Sequence, residues 1–300
     1  MTEVYAAAEA VAQESPLSTS LICEVLAVSQ SAYYAWRKGR SSPRAQRDAE
    51  LAPLVRAVFW KHRRRYGARR IASELADRGE TCSPRRVAKL LKNQGLRAIQ
   101  PKSFGPQTTD SRHRLGYSPN LLLEAPDPTD VNQLWVGDIT YVPLRGGSFS
   151  YLATLMDRFS RAIVGWRLDE MLTEDLVLPA LHAAIRDRQP PRRLIHHTDR
   201  GGQYAGARYR AVLRRADFRQ SMSRAGNCYD NAFMESCFGT IKNELEMTEY
   251  EDHRAARREI GDYIHYYQAE RKHSALGYLT PLQFERLHQP KTPKQPTPKS

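Results

Sequence analysis

Three acidic residues and one lysine stand where their side chains could do chemistry. Asp138 lies inside a run of strand-forming residues, and Asp199 ends another such run, just before a Gly-Gly pair. Glu235 and Lys242 are seven residues apart, about two turns of a helix, so they would project from one side of it. Carboxylates bind hard divalent cations, and an ammonium group attracts phosphate as a point charge. The alternative is that each is an ordinary solvated surface residue.

The stretch 224–245 has the pattern of an amphipathic helix packed on a core. Its apolar residues recur at helical spacing, at Met234, Phe238, Ile241 and Leu245. Glu235 and Lys242 fall on the line beside this apolar stripe rather than opposite it. The spacing therefore predicts an acid and a base at the border between a buried face and solvent.

Composition favours a polyanionic partner. The chain has 300 residues, enough for about two domains, and a formal net charge of +13. Residues 1–105 contain 19 Lys and Arg against 9 Asp and Glu, so most of the excess positive charge is N-terminal. This asymmetry favours nucleic-acid binding over a protein that is merely basic and soluble.

Cysteine usage and hydropathy limit the compartment. The four cysteines are widely spaced and none forms a CxxC pair, which argues against a structural zinc site. Free cysteines without a signal peptide favour a reducing cytoplasm. No apolar run approaches the roughly 18–20 residues of a membrane span, so we expect no membrane partner.

Two small helical units are predicted in the first third of the chain. Residues 17–39 predict two short helices separated by a break, the arrangement of a small helix-turn-helix. Residues 48–98 predict three further helices, the last with Ser83 as its N-cap. The aromatic residues of the first unit either fill its core or lean on a DNA backbone: Tyr33, Tyr34 and Trp36.

The second helical unit is the candidate DNA-binding surface. Basic side chains cluster on its outer faces, where they suit contacts to phosphates and to base edges in a major groove. The candidate residues are Arg69, Arg70, Arg85, Arg86 and Lys89. The alternative is a solvated helix face without a ligand.

Composition divides the chain into five segments. They are a helix-turn-helix-like segment (1–45), a basic helix-turn-helix domain (46–100), a linker (101–130), a catalytic domain (131–288) and a disordered basic tail (289–300). The linker lacks a hydrophobic period and contains five prolines, and a shorter linker is expected at 39–46. The tail is rich in Pro and Lys, a composition typical of disorder.

Residues 131–288 alternate between strand and helix patterns. Five strands are predicted, over 134–144, 148–157, 161–169, 193–199 and 218–223. The first three have short connections, typical of an antiparallel meander, whereas helices at 174–188 and 205–216 separate the later strands. This order predicts an α/β catalytic core with an RNase H-like fold, a mixed five-stranded sheet with helices, preceded by small all-α helix-turn-helix domains.

The predicted topology brings the acids together. The first and fourth strands are neighbours in such a sheet, so Asp138 and Asp199 would meet at one edge beside Glu235. Three converged carboxylates repel one another, and divalent cations relieve that repulsion. Oxygen ligands select Mg²⁺ or Mn²⁺, and two ions about 3.5–4 Å apart can align an attacking oxygen, a phosphate and a leaving 3′ oxygen. Taken singly, Asp199 could instead only cap the turn that follows it.

Several motifs resemble those of a known enzyme family. They are WVGDITY (135–141), HHTDRGGQY (196–204) and NAFMESCFGTIKNEL (231–245), with YGARRIASEL (66–75) upstream and HSALGYLTP (273–281) downstream. With 35 residues between Asp199 and Glu235, the chain resembles the DDE transposases of the retroviral-integrase superfamily. It is most similar to the second-frame product of the insertion-sequence-three family of bacterial mobile elements, over about residues 20–287.

The resemblance implies an activity and its residues. Asp138, Asp199 and Glu235 would form a catalytic triad that binds Mg²⁺ or Mn²⁺, two ions in all, and Lys242 would contact DNA beside them. The implied reaction is metal-dependent cleavage at the ends of an insertion element, followed by transfer of the freed 3′-OH to another phosphodiester. The implied partners are double-stranded DNA, further copies of the chain, and a small protein from an upstream reading frame.

Other residues in these motifs are secondary candidates. Gly201 and Gly202 would let the backbone approach the substrate closely. Gln203 and Asn231 could contact DNA, or could form only local turn and cap hydrogen bonds. His197 could lie in the site or could serve packing.

Two other functions are compatible with parts of the sequence. One is an RNase H-like nuclease that cuts without joining, although such an enzyme needs neither the basic N-terminal units nor Lys242. The other is a non-catalytic DNA-binding regulator, against which the intact set of three acids argues. Both would share the fold and differ only in chemistry.

Overall fold

The computed structural model describes residues 2–39, 42–100, 115–224, 232–247 and 249–288. The chain forms two compact units, Met1–Ala98 and Ile99–Ser300. Within the described ranges, no helix is both long and apolar enough to cross a membrane. The tail expected to be disordered lies outside these ranges.

The first unit is all-helical. Its helices are α1 (Thr2–Glu14), α2 (Thr19–Val25), α3 (Gln30–Arg37), α4 (Pro43–Lys61), α5 (Ala68–Ala76) and α6 (Pro84–Asn93). The sequence patterns predicted α2 to α6 but not α1. Tyr33 is fully buried in a small core with Ala8 and Ile22, which assigns this tyrosine to packing, whereas Tyr34 is exposed.

Local capping explains where the later helices of this unit begin. The linker expected at 39–46 is wrong in its second half, because the Ser42 hydroxyl accepts the Ala45 N–H at 3.1 Å and α4 starts at Pro43. Ser83 caps α6 as predicted, accepting the Arg86 N–H at 3.2 Å. Apolar residues on the inner faces of α4, α5 and α6 form a second core, which includes Leu51, Val55, Phe59, Ile71, Leu75, Val87 and Leu90.

The second unit is built on a mixed sheet. Its strands are β1 (Leu134–Pro143), β2 (Phe149–Asp157), β3 (Ile163–Asp169), β4 (Ile195–Thr198) and β5 (Arg219–Met222). The strand order is β3-β2-β1-β4-β5, with antiparallel pairing among the first three and parallel pairing of β1 with β4 and β4 with β5. The prediction of an RNase H-like mixed sheet with the first and fourth strands as neighbours is therefore confirmed.

Helices cover both faces of this sheet. They are α7 (Glu174–Arg188), α8 (Gly202–Ala205), α9 (Ala207–Arg215), α10 (Ala232–Glu244), α11 (His253–Ala269) and α12 (Pro281–His288). One apolar core lies between the sheet and α10 with α11, and a second lies between the opposite face and α7 to α9. Because side chains alternate along a strand, β1 contributes Val136 to the first core and Trp135 to the second.

Two segments differ from their sequence-based predictions. The helix expected at 205–216 is α9, which begins only at Ala207. Ala205 ends the separate short helix α8, and between the two helices lies Gly206, where a side chain would collide with the Glu174 carboxylate. That carboxylate accepts the Tyr209 N–H at 3.1 Å and so caps α9 from another helix. Part of the expected 101–130 linker packs on the sheet, since the Leu121 N–H donates to the Ser221 hydroxyl at 2.9 Å; residues 101–114 lie outside the described ranges.

Candidate active site

Asp138 and Asp199 occupy neighbouring positions on adjacent strands. Strands β1 and β4 pair in parallel with Gly137 opposite Thr198, so the next residue on each is an aspartate. Adjacent strands lie about 4.8 Å apart, and both aspartates are partly exposed. Asp138 lies on the same face of β1 as Val136, whose side chain is buried in the core that α10 covers. The fold thus places two carboxylates side by side where β4 ends.

The turn after β4 holds the Asp199 carboxylate. Its Oδ1 accepts the Gly201 N–H at 2.9 Å. A Cβ at position 201 would lie 3.1 Å from that same oxygen and 2.9 Å from Oε1 of Gln203. Glycine at this position therefore leaves room for the Asp199 carboxylate. This local role of Gly201 differs from the close approach to substrate that was predicted for it.

Helix α10 has the buried and exposed faces that its apolar stripe predicts for Glu235 and Lys242. Met234, Phe238 and Ile241 are buried, while Glu235 is exposed and Lys242 is half-buried. Burial lowers the pKa of the Lys242 ammonium, and the negative charge of Asp138 opposes this shift. Lys242 is thus within electrostatic reach of one strand aspartate.

The three acids do not form a closed ligand set. Across the part of the chain that the structure describes, no three His, Cys, Asp or Glu side chains lie close enough together to hold a metal ion. Asp138 and Asp199 are adjacent in the register of β1 and β4, and Glu235 lies on α10, which packs on the same face of the sheet. The convergence of all three acids therefore stays a prediction.

Tyr204 is a candidate that the sequence patterns did not single out. Its ring is 1% exposed, and its hydroxyl has no hydrogen-bond partner among the described residues. Burial raises its pKa well above the usual value, as do the charges of Tyr209, Asp138 and Asp199. A buried, unpartnered hydroxyl near two carboxylates is unusual because unmet polar groups destabilise a fold. The only sequence signal was its place in the motif that carries Asp199.

The two histidines before Asp199 serve packing beneath it. The His197 ring lies 2.8 Å from the Ser221 hydroxyl and 3.1 Å from that of Ser223, which links β4 to β5. The His196 ring lies 2.7 Å from the Tyr209 hydroxyl on the opposite face. Burial, followed by the charge of His197, lowers the pKa of His196 to about 3. Both side chains are fully buried, so the packing alternative holds for His197.

The two amide candidates have different outcomes. The Gln203 side chain donates to the Leu172 carbonyl at 3.1 Å, which ties the turn after β4 to the start of α7. This is the local role left open for Gln203. Asn231 lies outside the described residues.

The basic candidates of the first unit also divide. Arg86 donates to the Asp48 carboxylate at 2.6 Å and to the Arg44 carbonyl at 3.1 Å, and Lys89 lies 3.2 Å from the same aspartate. The hydrogen bond from Arg86 is the main cause that lowers the pKa of Asp48. The other candidates are placed differently: Arg69 and Arg85 are exposed, and the Arg70 guanidinium lies over the Tyr66 ring, 5.7 Å from its centroid.

Comparison with known proteins agrees with this architecture. Family models described as "Integrase core domain" match residues 128–228 and 216–281, and one described as "HTH-like domain" matches residues 46–104. A Shigella sonnei protein, "Insertion element IS600 uncharacterized 31 kDa protein", is 41% identical over 89% of this chain and 99% of its own length. The Escherichia coli K12 "Transposase InsF for insertion sequence IS3A" is 39% identical over 91% and 95%, respectively.

Solved viral structures are also similar, at low sequence identity. The magnesium-bound integrase catalytic core domain of HTLV-2 has a TM-score of 0.43 at 18% identity, and covers 52% of this chain and 98% of that one. A simian T-cell lymphotropic virus intasome chain has a TM-score of 0.47 at 16% identity, and covers 82% and 78%.

An integrase core preceded by a helix-turn-helix-like domain defines a transposase of the polynucleotidyl-transferase type. The relatives that are 41% and 39% identical over 89% and 91% of this chain point to one group within that class. The chain belongs to the family of insertion-sequence-three transposases, and its activity is DNA transposition and integration.

Proposed function

We propose that this transposase cuts the DNA at the ends of its insertion element and joins the freed 3′-OH to another phosphodiester. Asp138, Asp199 and Glu235 would hold the metal ions for both steps. The observation that carries the proposal is the adjacency of Asp138 and Asp199 at the end of β4, on the sheet face covered by α10.

The residues present fit Mg²⁺ or Mn²⁺ in two respects. The donors are carboxylate oxygens, which these hard cations prefer, and the unpartnered Tyr204 hydroxyl marks polar capacity that the protein alone leaves unused. Two bound ions would polarise the phosphate and supply the charge that offsets the attacking and leaving oxygens. The proposal requires Glu235 to complete the ligand set, because Asp138 and Asp199 supply only two carboxylates.

The chain's own groups orient the substrate. Lys242 is half-buried, and the negative charge of Asp138 favours its charged form. It would contact a phosphate next to the scissile bond as a point charge. The Gly201 N–H holds the Asp199 carboxylate in place through the 2.9 Å hydrogen bond. Exposed Arg69 and Arg85 of the 46–100 domain would bind phosphates of the element end.

Further partners extend the proposal. The chain would act in the bacterial cytoplasm as a multimer on paired element ends, together with a small protein from an upstream reading frame. These features rest on the family resemblance. Native mass spectrometry of the chain, alone and on an element-end duplex, measures the stoichiometry.

A strand-transfer assay tests the proposed chemistry. Duplexes that carry the terminal repeats flanking the gene are incubated with the protein and Mg²⁺, and cut and joined products are counted. Asp138→Asn, Asp199→Asn and Glu235→Gln should each reduce both products by about a thousandfold, since metal-bound charge stabilisation is worth several kcal/mol. Asp187→Asn, at an exposed acid paired with Arg186, is the matched control and should keep full activity.

The outcomes separate the rival functions. Cleavage without joined product would identify a nuclease. Unchanged transposition in the Asp199→Asn protein would show that this site is not catalytic and would favour a regulator. Loss of both products in all three variants, but not in the control, supports the transposase chemistry.

A further inference from the structure

Five exposed arginines surround the amino-terminal ends of β4 and β5. They are Arg192, Arg193, Arg214, Arg215 and Arg219, here called the β4–β5 arginine cluster. Backbone hydrogen bonds join the segments that carry them: the Arg193 N–H donates to the Asp217 carbonyl at 2.7 Å, and the Arg219 N–H donates to the Leu194 carbonyl at 2.8 Å. The cluster is therefore created by strand pairing between two turns more than twenty residues apart in sequence.

The cluster carries little compensating negative charge. Asp217 is the only acid in the two turns. None of the five arginines forms an ion pair with another described residue. Other arginines of the same unit do have carboxylate partners, such as Arg208 with Asp175 at 2.9 Å and Arg188 with Glu285 at 2.7 Å. Positive charges on two turns that are joined by backbone hydrogen bonds repel one another, so the cluster suits a polyanionic ligand.

The backbone at the cluster is also held in an unfavourable conformation. Arg193 and Asp217 both have positive φ, at 65° and 56°, where glycine is favoured over residues with a side chain. They lie side by side through the hydrogen bond between them. This hydrogen bond holds the two turns of the cluster together.

The cluster lies away from the proposed chemistry. Arg193 precedes β4 and Asp199 follows it, so five residues, four of them in β4, lie between the two. Their Cα atoms are thus at most about 20 Å apart at about 3.3 Å per residue. Base pairs in duplex DNA are stacked about 3.4 Å apart. A duplex lying along β4 would therefore meet the cluster about six base pairs from the bond that Asp199 would help to cleave.

We propose that the β4–β5 arginine cluster is a second DNA site, which binds phosphates of the duplex about six base pairs from the cleaved bond. The proposal rests on the proposed function only in locating that bond at Asp199. Arginine suits this ligand because its guanidinium forms paired hydrogen bonds to phosphate oxygens. A protein partner is less favoured because the apolar neighbours Leu194 and Phe218 are buried and offer no anchor.

Salt-dependent binding to duplexes of different length tests the site. The full-length Arg214→Gln/Arg215→Gln protein is compared with Arg186→Gln/Arg208→Gln, which removes two exposed arginines that have acidic partners. Anisotropy is measured over a range of KCl concentrations on element-end duplexes shortened stepwise from either side of the cleaved bond. The slope of log affinity against log salt should fall by about 0.9 for each lost phosphate contact, and so by up to about 2, in the cluster variant alone.

Duplex length gives the decisive comparison. The difference between the two variants should vanish once the duplex ends fewer than about six base pairs from the cleaved bond on one side. Equal slopes on long duplexes, or a difference that persists on the shortest ones, would overturn the proposal. The proposal would also be overturned if the Arg214→Gln/Arg215→Gln protein bound DNA normally but no longer bound an acidic protein.

Two further measurements separate possible failures. Phosphate-ethylation interference with the unmodified protein needs no substitution. It should identify phosphates about six base pairs from the cleaved bond whose ethylation prevents binding. Asp199→Asn should lose joining but keep the full salt slope. If Asp199→Asn still joins DNA while the cluster variant loses slope, the proposed catalytic site fails and the arginine site stands.

Discussion

The guanidinium of Arg271 donates three hydrogen bonds to the carboxylate of Glu244, at 2.6, 2.8 and 3.0 Å. Both side chains are less than 10% exposed. Glu244 is the last residue of α10, and Arg271 lies just after α11, so the pair fastens the end of the helix that carries Glu235 and Lys242. The Tyr263 hydroxyl completes the arrangement with a 3.0 Å hydrogen bond to the same carboxylate.

Removing one member of this pair should be costly. Arg271→Met leaves a buried carboxylate without its cation and should lower the free energy of unfolding by about 3–5 kcal/mol. Urea denaturation measures the change. The double variant Arg271→Met/Glu244→Leu should recover much of the loss because it removes both charges. Arg186→Met breaks an exposed pair with Asp187 and is the control; an equally small effect of Arg271→Met would contradict a buried, coupled pair.

The unpartnered Tyr204 hydroxyl should matter to metal binding more than to stability. Tyr204→Phe removes a buried group that makes no hydrogen bond among the described residues, so the unfolding free energy should change little. If that hydroxyl supports the metal-bound arrangement of Asp138 and Asp199, Mn²⁺ affinity should fall by about 10–100-fold. Isothermal titration calorimetry measures this affinity independently of activity.

Tyr209 supplies the matched control for this substitution. Its hydroxyl is engaged with the His196 ring at 2.7 Å. Tyr209→Phe should therefore reduce stability and leave Mn²⁺ affinity unchanged. Equal Mn²⁺ affinity in the Tyr204→Phe and unmodified proteins would confine Tyr204 to packing.

His196 should make the stability of the catalytic unit pH-dependent. Burial lowers its pKa to about 3, whereas a histidine in an unfolded chain titrates near 6.5. Between these values the unfolded state binds the extra proton, so stability is complete above about pH 6.5 and falls as the pH falls, by at most about 1.4 kcal/mol per unit.

Urea midpoints at about pH 7 and about pH 4.5 measure this dependence. His196→Gln should flatten the slope by close to one proton, whatever its effect on absolute stability. His182→Gln, at an exposed histidine, controls for the loss of a histidine as such. An unchanged slope in the His196→Gln protein would mean that its ring is protonated in the folded state.

Arg85 and Arg86 should separate into a DNA-binding and a structural residue. Arg85 is exposed on α6, so Arg85→Gln should reduce the salt slope of element-end binding by about 0.9 and leave Tm unchanged. Arg86→Gln should instead lower Tm, because Asp48 and the Arg44 carbonyl lose their donor, and should leave the salt slope unchanged. Thermal melts and anisotropy titrations on both proteins check this division, which the reverse result would refute.

Local patterns were sufficient for most elements of the fold. The helix at α7 and the start of α6 follow from apolar periodicity and from the Ser83 cap, both of which depend on residues within a few positions. One helix start differed from its prediction: the helix expected at 205–216 begins at Ala207, where the Glu174 carboxylate, on another helix, accepts the Tyr209 N–H. Helix α1 (Thr2–Glu14) was not predicted, although alanine is the residue with the highest helix propensity and this segment is rich in it.

The sequence by itself determined which chemistry was available. Residue types and their intervals alone predicted the succession of strands along the chain, the 35-residue spacing between Asp199 and Glu235, and the apolar stripe of α10. Only the tertiary structure decided which charged groups are free to act. It pairs Arg86 with Asp48, leaves Arg85 exposed, sets the Tyr204 hydroxyl near two aspartates, and gathers five arginines at two strand ends. The physical reason is that desolvation and charge pairing depend on distances in space, and those distances join residues that are far apart along the chain.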